Sequence, residues 1–84
     1  MKIELLYFGR PGENLGLARE TVQAPAALKS LAELLAWLRS RGETWERELA
    51  ENRVRCAINQ EFCSTGSAIK DGDEVAIFSP ISGG

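Results

Sequence analysis

An α+β fold, a mixed sheet of about five strands packed on one main helix, is what this sequence predicts. Three observations predict it. Alternating β-forming runs lie near both ends, at Lys2–Phe8 and Glu74–Phe78. One strongly amphipathic stretch with a start signal lies between them. Short alternating segments beside that stretch supply the remaining strands.

Lys2-Ile3-Glu4-Leu5-Leu6-Tyr7-Phe8 reads as the first strand, closed by Gly9-Arg10-Pro11-Gly12. The glycines of 9–16 predict a polar loop. Arg19-Glu20-Thr21-Val22-Gln23 is the second strand, ended by Ala24-Pro25, so the two form a hairpin with a long connection. Ser30-Leu31-Ala32-Glu33 is a capping box, in which the serine and the glutamate three residues on each satisfy a free backbone N–H. Leu31, Leu34, Leu35 and Leu38 then form the apolar stripe of a core-facing helix. Arg39 and Arg41 suit its negative end, and Gly42 is placed to stop it in a left-handed conformation. Trp45 and Leu49 predict a further short helical segment from Thr44 to about Glu51.

Val54-Arg55-Cys56-Ala57-Ile58 alternates as a half-buried strand, and Asn59-Gln60-Glu61 turns it into a short strand at Phe62-Cys63. Asp71-Gly72-Asp73 is a turn before the last strand, Glu74–Phe78. One amphipathic helix needs one sheet face to cover it. The economical solution is a β-grasp, with the first and last strands as parallel central neighbours and the helical segment as their crossover.

Length and composition narrow the function. The chain has 84 residues, enough for one modest core, and a net charge of −2. That balance argues against nucleic acid or an anionic membrane as the partner, since phosphate binding needs clustered Lys and Arg. No apolar run approaches the roughly 20 residues of a membrane span, and the N-terminus opens into a strand without a signal-peptide profile. A soluble, cytoplasmic protein is expected.

The sequence holds no histidine, the commonest acid–base group near neutral pH. Cys56 and Cys63 match neither a redox CxxC nor a zinc-ligand spacing. Cys56 falls in an apolar alternation and reads as a core thiol; Cys63 sits at a strand edge with no evident role. A self-contained hydrolase or metalloenzyme does not fit.

Two features point instead to work done with partners. The chain ends in Ile81-Ser82-Gly83-Gly84, and a diglycine end has no side chains to block a narrow channel. It can thread into another protein's active site and present its carboxylate there. A bare carboxylate is a poor electrophile, so its use implies activation by a partner, with an acyl adenylate as the expected form. The second feature is strand parity. Lys2, Glu4 and Glu74 mark the solvent faces of the outer runs, which puts Leu6, Phe8 and Phe78 on the outside of the sheet. With the strands parallel, Phe8 and Phe78 reach the same end, where the tail departs. Exposed aromatics there read as a docking surface, unless residues 9–16 or 60–68 fold over the rings.

Leu6-Tyr7-Phe8-Gly9, Ala57-Ile58-Asn59-Gln60-Glu61-Phe62 and the run from Ile69-Lys70-Asp71-Gly72-Asp73-Glu74 to Pro80-Ile81-Ser82-Gly83-Gly84 resemble the molybdopterin synthase small subunit family. These are the ubiquitin-like sulfur carriers of molybdenum-cofactor biosynthesis, and the likeness covers essentially the whole chain. The resemblance implies that residues 1–78 form the ubiquitin-like domain and 79–84 a flexible reactive tail. An E1-like activating enzyme would adenylate Gly84 with ATP, and a cysteine desulfurase or rhodanese would supply sulfur for a thiocarboxylate. The tail would then enter the large synthase subunit and pass sulfur to cyclic pyranopterin monophosphate. Gly84 would be the reactive acyl group, with Gly83, Ser82, Ile81 and Pro80 threading the channel. Phe8, Phe62 and Phe78 would form the docking patch. No metal or stably bound cofactor is implied. Ser79 stands where the family commonly has a second proline, and residues 9–16 are glycine-rich where relatives are often more helical. A carrier for another acceptor, such as the thiamin thiazole, or a ubiquitin-like protein modifier would share the fold and the terminus.

Overall fold

A strand's two-residue side-chain period sorts Lys2–Phe8 cleanly: Ile3, Leu5 and Tyr7 are buried, while Lys2 and Phe8 are exposed. In the computed structural model, which describes residues 1–80, this run is strand β1. Helix α1 (Arg10–Leu15), β2 (Arg19–Gln23), α2 (Leu31–Arg39) and α3 (Glu43–Glu48) follow. A single 3-10 turn (Glu51–Arg53) leads into β3 (Arg55–Ile58), β4 (Glu61–Cys63) and β5 (Glu74–Phe78).

The sheet order is β2-β1-β5-β3-β4. β1 and β5 are its parallel neighbours, with Leu5 opposite Val75 and Phe8 opposite Phe78. β2 pairs antiparallel with β1, β3 antiparallel with β5, and β4 antiparallel with β3. This is the predicted ubiquitin-like β-grasp.

α2 covers one face of that sheet. Its Ser30 hydroxyl accepts from the Glu33 N–H at 3.3 Å, and the Glu33 carboxylate accepts from the Ser30 N–H at 3.2 Å, completing the capping box. Leu31, Leu34, Leu35 and Leu38 are each no more than 1% exposed and join Ile3, Leu5, Val75 and Ile77 in one core. Each such leucine stabilises the fold by about 1.5–3 kcal/mol through the apolar surface it removes from water.

Three expectations are corrected. Residues 10–15 form helix α1 rather than a polar loop. Gly9, at φ 67°, opens it with its carbonyl accepting from the Glu13 N–H. Pro11 sits in its first turn, where a missing N–H costs nothing, and Gly16 closes it in the left-handed region at φ 71°. Gly12 allows the close packing: a Cβ there would lie 2.9 Å from the Leu17 carbonyl oxygen and 3.0 Å from that of Tyr7.

Gly42 does not stop α2. That helix closes at Ser40, whose N–H and hydroxyl both donate to the Trp37 carbonyl, and Gly42 begins α3 by accepting from the Glu46 N–H at 2.9 Å. The segment after it is helical over Glu43–Glu48 only, shorter than expected, because Leu49 turns into the core and the chain re-forms as the 3-10 turn. Arg39 reaches past its own helix and donates to the Leu49 carbonyl at 3.0 Å, and Arg41 pairs with Glu20 at 2.8 Å.

Cys56 and Cys63 are both free thiols, the first buried and the second half-buried. No helix among the described residues is long and apolar enough to cross a membrane.

Candidate functional site

The face of the sheet turned away from α2 carries the candidate site. Pairing in β1, β5, β3 and β4 puts Leu6, Phe8, Ala76, Phe78, Arg55, Ala57 and Phe62 on that one face. Phe78 lies directly between Phe8 on β1 and Arg55 on β3. Phe62, on the edge strand β4, packs edge-to-face on Phe78 with ring centroids 5.8 Å apart. Phe8 is 51% and Phe62 85% exposed, and Phe78 is half-buried beneath its neighbours.

Neither segment that could have covered these rings does so. α1 turns Pro11 and Gly12 inward, and its Asn14 amide donates to the buried Glu48 carboxylate of α3 at 3.0 Å. The segment after β4 runs across the start of α2, where Ser67 and Thr65 carbonyls accept from the Leu31 and Ala32 N–H groups. Both segments are thereby used on the other side of the sheet.

The hairpin that presents Phe62 is held from the far end. Asn59 and Gln60 take positive φ values of 50° and 72°, as a two-residue hairpin turn matched to the sheet twist requires. The Asn59 amide donates to the buried Asp73 carboxylate at 2.9 Å, while its oxygen accepts from the Glu74 N–H at 3.0 Å. Asp73 also accepts from the Lys70 N–H at 2.8 Å. The Asn-Gln and Asp-Gly-Asp motifs are therefore one lock between the β3–β4 turn and the start of β5.

All three aromatic residues expected to dock a partner are thus brought together. Ser79 and half-buried Pro80 leave the sheet directly after Phe78, beside Gly9. Ile81, Ser82, Gly83 and Gly84 lie outside the described residues. Arg55 is a member of the patch that sequence reasoning passed over. The alternation Val54-Arg55-Cys56 was a sufficient signal, because a charge between two buried residues must face outward.

Chemically the patch offers contact rather than catalysis: three aromatic rings, small aliphatic groups and one guanidinium. Among the described residues no group of three or more His, Cys, Asp or Glu gathers to hold a metal. Elsewhere, burial raises the Tyr7 phenol far above its ordinary value, helped by its 2.8 Å hydrogen bond to Glu20. Burial likewise pushes the Cys56 thiol up to about 12. Both groups stay protonated near neutral pH.

Comparison with known proteins gives the family of the chain. The model of the ThiS family matches residues 5–84. The chain is 34% identical over 88 residues to the molybdopterin synthase sulfur carrier subunit of Homo sapiens, covering 99% of this chain and 94% of that one. It matches a chain in the complex of subunits 1 and 2 of the molybdopterin-converting factor from Helicobacter pylori 26695, with a TM-score of 0.67, 25% identity and full coverage of both chains. Small archaeal modifier protein 1 of Haloferax volcanii shares the fold with a TM-score of 0.76 at 23% identity, over 95% of this chain and 98% of that one.

Proposed function

Because this chain belongs to the ThiS family, we propose that it is the sulfur carrier subunit of a molybdopterin synthase. The observation that carries the proposal is the open aromatic face of Phe8, Phe78 and Phe62 at the end of the sheet from which residues 79–80 depart. The human relative bears the sulfur carrier name, and the Helicobacter pylori neighbour is described as one half of a two-subunit complex.

In this reading the folded body docks and the tail reacts. Phe62 and Phe8 bury their exposed rings against the large subunit, with Arg55 at the edge for a carboxylate or carbonyl. Docking aims Pro80-Ile81-Ser82-Gly83-Gly84 into the partner's active site. Pro80 limits the conformations lost on insertion, and the glycines pass where a Cβ would clash. The activating enzyme joins the Gly84 carboxylate to AMP from ATP and releases pyrophosphate. A sulfur donor then displaces AMP, leaving a thiocarboxylate. Its sulfur is a far better nucleophile than carboxylate oxygen and attacks cyclic pyranopterin monophosphate held by the large subunit. The chain itself holds no cofactor in this scheme.

The test is co-elution with the large synthase subunit of the same organism on size exclusion. The native chain is expected to co-elute, and Phe62→Ala combined with Phe78→Ala is expected to separate from it. A native chain that never co-elutes would count against the assignment.

A further inference from the structure

Cys56 and Cys63 have no part in the docking scheme, yet they are direct register partners across the antiparallel β3–β4 pair. Both point to the inner side of the sheet, opposite to the face carrying Ala57 and Phe62. Directly opposed residues of an antiparallel pair have Cα atoms about 4.5–5.5 Å apart, inside the roughly 4.4–6.8 Å that disulfides span. The Cys63 thiol already lies against β3, donating to the Cys56 carbonyl at 3.5 Å.

The pair is also reachable. A cleft of about 270 Å³ between α2 and the hairpin is lined by both cysteines, with Leu31, Leu35, Val54 and Thr65 around them. Cys63 is half-buried, so it is the thiol that a small molecule meets first. Burial raises its pKa, while the Ser67 side chain and the Ile58 backbone act in the opposite direction by hydrogen bonding. The first attack is therefore directed to one sulfur.

We infer that Cys56 and Cys63 are an oxidisable pair that closes into a cross-strand disulfide and staples β4, the strand bearing Phe62, onto β3. The oxidant is a low-molecular-weight disulfide such as oxidised glutathione. Cys63 thiolate attacks one of its sulfurs, forming a mixed disulfide and releasing one glutathione thiolate. Cys56, after losing its proton to solvent, attacks the Cys63 sulfur and expels the second. Two protein thiols are oxidised and one glutathione disulfide is reduced to two thiols. β4 is a three-residue edge strand paired only with β3, so this bond removes its route to fraying. The inference stands apart from the proposed function, since it uses neither the tail nor a partner.

The experiment incubates the folded chain with excess oxidised glutathione and reads intact mass, peptide linkage and amide exchange. The expected product is a monomer lighter by two hydrogens, with the peptides of Cys56 and Cys63 cross-linked and full reversal by dithiothreitol. The amides of Glu61 and Cys63, which face β3, should exchange several-fold more slowly in that product. Cys63→Ser should show neither the mass loss nor the slowed exchange. Because Cys56 is part of the core, the half-buried Cys63 position carries the comparison. A wild-type chain that stays unmodified, stops as a glutathione adduct or couples into dimers would overturn the inference.

Discussion

Phe8 and Phe78 stand directly opposite one another across the parallel β1–β5 pair, on the face turned away from α2. That register is what gathers an apolar patch where the chain leaves the sheet. Phe62 then joins from β4 by its edge-to-face contact with Phe78. Phe62→Ala is expected to weaken large-subunit binding by at least about 1–2 kcal/mol, as removal of an aromatic anchor does. Unfolding should change less, because an 85% exposed ring gives up only its aromatic contact, about 0.5–1.5 kcal/mol at most. Titration calorimetry and denaturant unfolding of the same variant decide it; equal losses would make Phe62 a structural residue.

Gly12→Ala is expected to destabilise the fold by about 1–3 kcal/mol through overpacking. The atoms a Cβ would meet, the carbonyl oxygens of Leu17 and Tyr7, are backbone and cannot swing aside. Thermal unfolding reads the effect. An unchanged midpoint would mean that α1 is free to move off β1.

Leu35→Ala should cost about 2–5 kcal/mol, since the side chain is 1% exposed within the α2–sheet core. Urea titration gives the value directly. A loss under about 1 kcal/mol would show that the surrounding leucines collapse into the space.

Stability should fall at alkaline pH. Tyr7 is raised by burial and by Glu20, and Cys56 by burial and by neighbouring Cys63. In the unfolded chain they ionise near their ordinary values of 10.0 and 9.0, before the folded chain does. The contribution is complete below the unfolded values and is lost as pH rises through about 9 to 12, by up to about 1.4 kcal/mol per pH unit for each group. Unfolding midpoints measured from pH 8 to 11 should decline, and Tyr7→Phe should flatten the part above pH 10. An equally steep decline in that variant would assign the effect to other groups.

Much of this architecture was legible because each central element carries a self-consistent local signal. Ser30 and Glu33 announce α2, and its leucine spacing names the face that is buried. Charges at Lys2, Glu4 and Glu74 fix the strand faces, and with them the outward direction of Phe8 and Phe78. What was missed involves glycines read as breakers. Gly9 and Gly16 bound α1 rather than exclude it, and Pro11 between them was the sign that a helix starts there. Gly42 begins α3 rather than ending α2, and one glycine between two helices can locally do either. The Asn59–Asp73 lock spans fourteen residues and depends on the fold, so no local pattern reveals it. The outward direction of Arg55 follows from alternation alone; that it stands beside Phe78 follows only from the register.

The proposal turns on the Gly84 carboxyl as the group that carries the transferred sulfur. Intact-mass and C-terminal peptide analysis of the protein, taken from its host or incubated with ATP, its activating enzyme and sulfur donor, tests this most directly. The account predicts exchange of one oxygen for sulfur on the Gly84 carboxyl, absent when Gly84 is deleted, with thermal unfolding of that deletion unchanged. A chain that continues past Gly84 in its working form, or that keeps a plain carboxylate while still supplying the synthase, would contradict it.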